Sequence, residues 1–477
     1  MDHHEAAENG AGPEAAGGST SGPPGVRQRV VGMVGAGQLA RMTTAAAVGL
    51  GIRFRVLAAT PDESAAQVCA DTVLGDYRST EDLLAFAADC DVVTFDHEHV
   101  PQAQLAALEN AGHVVAPSAA ALRFAQDKLA MRERLTELGV PCPRFAPVAS
   151  SDEVEAFAAR TGWPVVLKAI SGGYDGRGVW VCRSPAEAAE VVSHGVALLA
   201  EEHVAFRREL AILIARSSSG HGAAYPVVQS VQRDGICVEV LAPAPDLPES
   251  TAIEAERLGL SLARDLDVIG LLAVELFEAA DGSLLVNELA MRPHNTGHWT
   301  IEGARTSQFE QHLRAVLNLP LGSPVAVAPV AVMANVLGGT DPDLYGKFNH
   351  VLAADTSLKV QLYGKPVRPG RKVGHVTALG EDLAGVRVRA RRAANYLATG
   401  DENPPGGLSV SPRGLAEVGA SVGAGGAVVA DGPGVEDARA APGSSVAAGG
   451  PAAGGAAAGG AVAAGSVVAA GDGGERA

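Results

Sequence analysis

Two glutamates define the chemistry that this sequence can support. Leu271–Glu278 and Leu284–Leu289 read as strands flanking Asp281-Gly282, a pair suited to a two-residue type I′ hairpin turn. Counting outward from that turn places Glu275 opposite Glu288. Facing carboxylates repel each other unless a cation sits between them. With Asn287 beside them, they form an oxygen-ligand site for Mg²⁺ holding nucleotide phosphates. The apolar neighbours Val274, Leu276, Val286 and Leu289 speak against two solvated edge glutamates.

Three further clusters suit anions. Lys168 ends a strand and is followed by Ser171–Gly178, where four glycines (Gly172, Gly173, Gly176 and Gly178) let backbone approach phosphate closely. This is no Walker A loop, since GxxxxGK[ST] is missing, and Tyr174, Asp175 and Arg177 are costly in a mere turn. After Glu288 the chain runs through Arg292, His294 and Asn295 to His298. The two histidines have the i, i+4 spacing of a metal pair, but Pro293 and Gly297 favour a loop that offers Arg292, His294 and Asn295 to an anionic or carbonyl group. Lys365, Arg368, Arg371 and Lys372 then concentrate four bases suited to phosphate.

The elements that must carry these groups alternate. Arg29–Val34 is a strand entering the turn Gly35-Ala36-Gly37-Gln38-Leu39-Ala40, whose amides at a helix start suit an anion. A dinucleotide site would also require an acid at the end of the second strand, where Ala58-Ala59-Thr60 stands instead. Strands at Arg53–Ala58, Asp91–Phe95 and His113–Val115 interleave with helices at Gln38–Val48, Glu81–Ala88 and Gln102–Asn110, which predicts a parallel α/β sheet. A charged amphipathic helix is expected over Ala125–Gly139. Longer sequential strands follow Glu201, with a smaller β-rich segment beyond Pro320.

Composition separates body from ends. The chain has 477 residues and 58 glycines, of which 26 lie in Met1–Arg27 and Asp401–Ala477. The remainder has an ordinary globular glycine content. The net charge is −17, and the body between the ends stays acidic at −9, which opposes non-specific nucleic-acid binding. Five scattered cysteines suggest neither zinc nor a disulfide framework. Residues 440–471 are uncharged but hold no Leu, Ile or Phe, so a disordered tail is expected rather than a membrane span. Without a secretory pattern at the N-terminus, a cytoplasmic location is expected.

The lysine-plus-glycine-rich lid and the two glutamates resemble the ATP-grasp superfamily. Within it, VGAGQLARM, GGYDGRG, NELAMRPHNTGHWT and VRPGRKVGH resemble the 5-(carboxyamino)imidazole ribonucleotide synthase family of purine biosynthesis, from about Arg29 to Leu397. The resemblance implies an ATP-grasp fold of mixed α/β and α+β class, with an N-terminal parallel α/β domain (29–124), an ATP-grasp domain (125–320) and a small β-rich C-terminal domain (321–399). Residues 1–28 and 400–477 are expected to be disordered. The implied reaction is ATP-dependent carboxylation of aminoimidazole ribonucleotide with bicarbonate by a cytoplasmic homodimer, through carboxyphosphate.

The same resemblance assigns the residues. Lys128, Lys168, Glu201, Glu202, His203, Val204 and Glu209 would hold adenine and ribose. Gly173, Tyr174, Asp175, Gly176, Arg177 and Gly178 would close over the nucleotide, with Tyr174, Asp175 and Arg177 also meeting the ribonucleotide. Glu98 would lie near that substrate too, and Gln232 near the nucleotide, although some relatives have histidine where this chain has Gln229 and Gln232. Glu275 and Glu288 would carry Mg²⁺, with Asn287 assisting. Arg292 and His294 would face bicarbonate, while Lys365 and Arg371 would serve bicarbonate or the ribonucleotide phosphate. An ATP-grasp ligase activating formate or an amino acid should lack the Arg292/His294 loop combined with the basic cluster. A regulatory nucleotide binder would have no need of Lys168, Glu275 and Glu288 together.

Overall fold

A computed structural model describes residues 27–173 and 178–401. The expected disordered ends therefore lie outside the described residues, apart from Arg27, Gln28, Gly400 and Asp401, and so do Tyr174, Asp175, Gly176 and Arg177 of the lid.

The N-terminal alternation yields a four-stranded parallel sheet in the order β3-β2-β1-β4. Its elements are β1 (Val30–Val34), α1 (Gln38–Gly49), β2 (Arg53–Ala58), β3 (Asp71–Leu74), α2 (Thr80–Ala87), β4 (Val92–Phe95) and α3 (Gln102–Asn110). The expected fourth strand, His113–Val115, contributes only a single bridge, Val93 with Val115. Every residue of β4 is buried, as strands covered on both faces require.

The helix expected over Ala125–Gly139 is instead two: α4 (Ala119–Gln126) and α5 (Lys128–Glu137). Asp127 separates them. Its backbone is extended (φ −124°, ψ 106°), and its carboxylate accepts from the Ala130 N–H at 2.9 Å, capping α5. The break makes Lys128 the first helical residue of α5.

A second, antiparallel sheet has the order β5-β8-β6-β7. It is built from β5 (Phe145–Val148), α6 (Ser151–Thr161), β6 (Val165–Ala169), β7 (Val179–Cys182), α7 (Pro185–Val192) and β8 (Leu198–Glu202). The glycine-rich lid joins β6 to β7 at one end of this sheet.

The strands of the remaining described residues form one nine-stranded sheet. It includes β9 (Phe206–Arg216), β10 (Gly222–Ala224), β11 (Val228–Arg233), β12 (Ile236–Ala242), α8 (Glu249–Asp265), β13 (Gly270–Ala279) and β14 (Leu284–Ala290). After a 3₁₀ turn at Asn295–Gly297 come α9 (Thr300–Gly303), α10 (Gln308–Val316), β15 (Val330–Leu337), α11 (Leu344–Ala354), β16 (Lys359–Leu362), β17 (Lys372–Gly380) and α12 (Leu383–Thr399). Strands run β14-β13-β9-β11-β12-β15-β17-β16, with β10 against β9. The last three strands thus extend the central sheet, and β15 joins β12 directly. Among the described residues no helix is long and apolar enough to cross a membrane.

Candidate active site

The predicted pairing of Glu275 with Glu288 is present, but the turn is not the predicted one. Ala279 N–H bonds to Ser283 O, so the loop has three residues, Ala280, Asp281 and Gly282, and Gly282 takes φ +87°. That is the turn-plus-left-handed-glycine solution for three-residue hairpins. The register from this turn would pair Glu275 with Asn287, yet a bulge between Glu275 and Leu276 inserts one extra residue and restores the Glu275–Glu288 pair. A bulge re-aims side chains that regular pleating would send to opposite faces. Both Asn287 and Glu288 consequently reach lysines: Lys168 Nζ donates to Asn287 Oδ1 at 3.1 Å, and Lys128 Nζ to Glu288 Oε1 at 2.6 Å.

Sheet parity collects further groups on this face. Glu275 pairs with Ala211 across β9, two residues from Glu209, so Glu209 shares its face. Ser230 pairs with Glu209, and Gln232 beyond it donates to Ser230 Oγ at 2.8 Å, close enough to the Glu209 carboxyl to favour its ionised form. Burial pushes Glu209 up to about 7. Burial and the facing Glu288 and Glu209 push Glu275 well above the usual carboxylate range. Desolvation in the cleft acts the same way on Glu288, but the positive charges of Lys128, Lys168 and Arg132 together outweigh it and hold this carboxyl low.

The opposite wall is the smaller sheet. Lys168 on β6 and Glu201 on β8 share a face and pair at 2.7 Å. Arg132, on the turn of α5 after Lys128, is fully buried and donates to Glu201 Oε1 at 2.7 Å, to Val286 O at 3.0 Å and to Asn287 O at 2.8 Å. One guanidinium therefore joins α5, β8 and the bulge. The sequence reasoning missed it, although Lys128 and Arg132 have the i, i+4 spacing of one helix face. Glu201, assigned to the nucleotide, has its carboxylate committed to Arg132 and Lys168, which leaves its backbone for a ligand. Glu202 is likewise held by Arg144 at 2.6 Å. His203 is exposed and Val204 half-buried in the link to β9. At the lid base Gly173 is half-buried, and Gly178 (φ +75°) accepts from Ala169 N–H at 2.8 Å. Gln229 pairs with Leu210 beside these groups.

Beyond β14 the chain enters a second compartment. Arg292 Nε donates to Glu98 Oε2 at 2.7 Å, so two residues assigned to different substrates are partners of each other. His294 is buried, and its backbone N–H and carbonyl both bond Gln308, on α10. His298, suggested by spacing as its metal partner, instead stacks on His375 at 4.9 Å. Lys365 Nζ donates to Gln38 Oε1 at 2.6 Å. Arg371 is half-buried and reaches Pro366 O, whereas Lys372, expected in the same basic loop, is buried at the start of β17. Lys372 lies where its charge acts on Glu275.

The Gly35–Ala40 turn already holds an anion of its own. Asp96, at the end of β4, accepts from Gly37 N–H at 2.5 Å through Oδ2. Gly35 has φ +97°, and a Cβ there would stand 2.0 Å from Asp96 Oδ1, so glycine is required on both counts. Burial pushes this carboxyl up to about 7. The amide expected to meet an external anion is thus used internally.

Comparison with known proteins fits this layout. The sequence matches the ribonucleotide synthetase preATP-grasp domain over residues 28–126, the ATP-grasp domain over 133–309, and the phosphoribosylaminoimidazole carboxylase C-terminal domain over 331–389. N5-carboxyaminoimidazole ribonucleotide synthase of Mycobacterium tuberculosis is 56% identical over 378 residues, covering 78% of this chain and 88% of that protein. The synthetase crystal structure from Thermus thermophilus superposes with TM-score 0.70 at 39% identity, covering 77% of this chain and 98% of that one. The Aspergillus clavatus synthase, solved with ADP and 5-aminoimidazole ribonucleotide, gives TM-score 0.72 at 30% identity, covering 78% and 98%.

Proposed function

Because the chain belongs to the N5-carboxyaminoimidazole ribonucleotide synthase family of ATP-grasp enzymes, we propose how its own residues perform that family's reaction. It is an ATP-dependent ligase that carboxylates 5-aminoimidazole ribonucleotide with bicarbonate in purine biosynthesis, releasing ADP and phosphate. The observation that carries the reading is the cleft itself. Glu275, Glu288 and Asn287 stand on one wall, where Lys128 reaches Glu288 and Lys168 reaches Asn287, while Arg292 follows directly from the end of β14 and pairs with Glu98 from the loop after β4.

A bicarbonate oxygen attacks the γ-phosphorus of ATP, the bond to the β-bridging oxygen breaks, and ADP leaves with that electron pair. The product, carboxyphosphate, then delivers its carboxyl carbon, directly or as CO₂, to the exocyclic amine of the ribonucleotide. Phosphate departs and the amine gives up a proton. Phosphoryl transfer depends on positioning and charge neutralisation more than on covalent help.

Lys128 and Lys168, which the resemblance assigned to adenine and ribose, suit the nucleotide phosphates better, because each can exchange its pair with Glu288 or Glu201 for contacts to the incoming anion. Glu275 and Glu288 suit Mg²⁺: the donors, with Asn287, are all oxygen, and burial plus mutual repulsion makes a second negative charge on the pair costly without a cation. When bound, the ion supplies Lewis-acid neutralisation of phosphate charge. Glu209 and the Glu201–Val204 backbone hold the ribose and adenine, with Gln232 fixing Glu209. Tyr174, Asp175, Gly176 and Arg177 stay assigned to the reactants on the resemblance alone, between Gly173 and Gly178. Excluding water protects carboxyphosphate. Arg292 and His294 orient bicarbonate, Glu98 the ribonucleotide amine side, and Lys365 and Arg371 an anionic group. The same reading extends to a cytoplasmic homodimer.

ADP release tests the assignment. With ATP, Mg²⁺, bicarbonate and aminoimidazole ribonucleotide each omitted in turn, turnover is expected to require all four. Nucleotide hydrolysis indifferent to the ribonucleotide would refute it.

Glu209 adds a pH signature. Ribose hydroxyls donate to its ionised form, so nucleotide binding should tighten as pH rises through about 7. In Glu209→Gln the dissociation constant of ATP should rise severalfold at pH 8, and the difference from wild type should shrink at pH 6. A gap that is constant with pH would count against this role.

A further inference from the structure

Gln38 begins α1 within the Gly35–Ala40 turn, and nothing above gives it a task. It is fully buried, and its amide lies between Lys365 on one side and His298 on the other. Lys365 Nζ donates to Gln38 Oε1 at 2.6 Å, which turns the Gln38 NH₂ toward His298 Nε2 at 3.4 Å.

The tautomer of His298 follows from its other partner. Gln308 accepts from His294 N–H at 2.8 Å and donates to His294 O at 2.7 Å, so two backbone bonds fix its amide orientation. Its second NH₂ hydrogen meets His298 Nδ1 at 3.1 Å. Nδ1 is then an acceptor, and the proton of the neutral ring sits on Nε2. Burial, with His375 and His294 nearby, keeps the ring neutral. Nor can the ring turn over, since it stacks on His375 at 4.9 Å and Phe309 at 5.8 Å, with Tyr363 edge-on at 6.0 Å.

Two donors therefore face each other, Gln38 NH₂ and His298 Nε2–H. Half a turn of the Gln38 amide would cure this, pairing Oε1 with His298 Nε2–H. That rotation points NH₂ at the position of the Lys365 ammonium, which only donates, so it requires Lys365 to move away. An anion does so by drawing the ammonium to itself.

We propose that Gln38 is a two-position positioning residue for an anionic oxygen of the substrate. In one position its carbonyl oxygen parks Lys365. In the other, reached when an anion takes Lys365, the carbonyl accepts from His298 and the NH₂ donates to that anion beside Lys365. This deepens the reading of Lys365 given above and rests on it. The oxygen belongs either to the ribonucleotide phosphate or to bicarbonate.

Gln38→Leu and Gln38→Glu, with steady-state kinetics for each substrate, test the device. In Gln38→Leu the KM for one anionic substrate should rise about 10–100-fold, the range expected for a lost hydrogen bond to a charged group. KM for ATP should stay within about twofold and kcat within about threefold. A rise confined to the ribonucleotide assigns the oxygen to its phosphate, and one confined to bicarbonate assigns it there. Glutamate can accept from both Lys365 and His298 but has no hydrogen for an anion, so it should be worse than leucine. Rescue by glutamate would mean a merely structural role and overturn the proposal. Binding of inorganic phosphate, read by thermal shift, should weaken in Gln38→Leu whether or not turnover occurs. If phosphate binding weakens in Gln38→Leu while the wild-type enzyme shows no ribonucleotide-dependent turnover, the assigned reaction falls and the device stands. Equal phosphate response in wild type and Gln38→Leu, no response by either included, overturns the device.

Discussion

Glu288→Gln should lower kcat by about a thousandfold or more, equivalent to about 4 kcal/mol of transition-state stabilisation. The substitution keeps shape and removes one charge from the facing carboxylate pair proposed to hold Mg²⁺ and the nucleotide phosphates. Glutamine offers a single neutral oxygen in place of a carboxylate, so Mg²⁺ binding should weaken along with turnover. The fold should be nearly indifferent. The Glu288 side chain is 43% exposed and its one ion pair is with Lys128, an arrangement worth about 0–1 kcal/mol. The melting temperature should therefore move by no more than about 2–4 °C. ADP release at saturating substrates, with melting curves on the same preparation, separates the two effects. Undiminished turnover would remove Glu288 from the metal site.

Arg132→Met should have the opposite signature, a large loss of stability. Arg132 is completely buried and neutralises Glu201, itself only 2% exposed, while satisfying the carbonyls of Val286 and Asn287. Methionine fills much of the volume but leaves three acceptors short of a donor and Glu201 with Lys168 alone. Breaking a buried pair by removing one partner costs about 3–5 kcal/mol. Urea denaturation at pH 7 measures it, and a loss below about 1 kcal/mol would show that water or Lys168 compensates. Acid sharpens the test. Burial favours the neutral form of Glu201, but Lys168 and Arg132 outweigh it and hold the carboxyl at about 2 against an ordinary value of 4.5. A depressed carboxylate contributes stability above 4.5 that is lost as pH falls toward 2. Without Arg132 the folded-state value rises, so the loss on acidification from pH 5 to pH 3 should shrink relative to wild type.

These effects came from sequence and structure in different proportions. The glutamate pair was legible because a hairpin is local: period-2 alternation and a nearby turn signal fix which side chains face each other. Even there the route differed, since a three-residue turn would have put Asn287 opposite Glu275 and a bulge undid the shift. The family motifs singled out Arg292, His294 and Arg371, and Lys168 and Lys365 stand just ahead of two of those stretches, whose order along the chain is itself informative. They did not reveal which groups were already engaged. Glu201 and Glu202, read as nucleotide ligands, spend their carboxylates on Arg132, Lys168 and Arg144.

By itself the sequence determined the partition into an acidic body and glycine-rich ends, the parallel α/β alternation, and the placing of two carboxylates on neighbouring strands. All of these depend on composition or on periodicities spanning a few residues. Tertiary structure alone decided the pairings between distant segments. Asp96 occupies the amide of Gly37 from 59 residues away, Arg132 reaches the bulge from 155 away, and Lys365 meets Gln38 from 327 away. No local pattern encodes such partners, since each is chosen by which buried donor is left facing which acceptor once the sheets have packed.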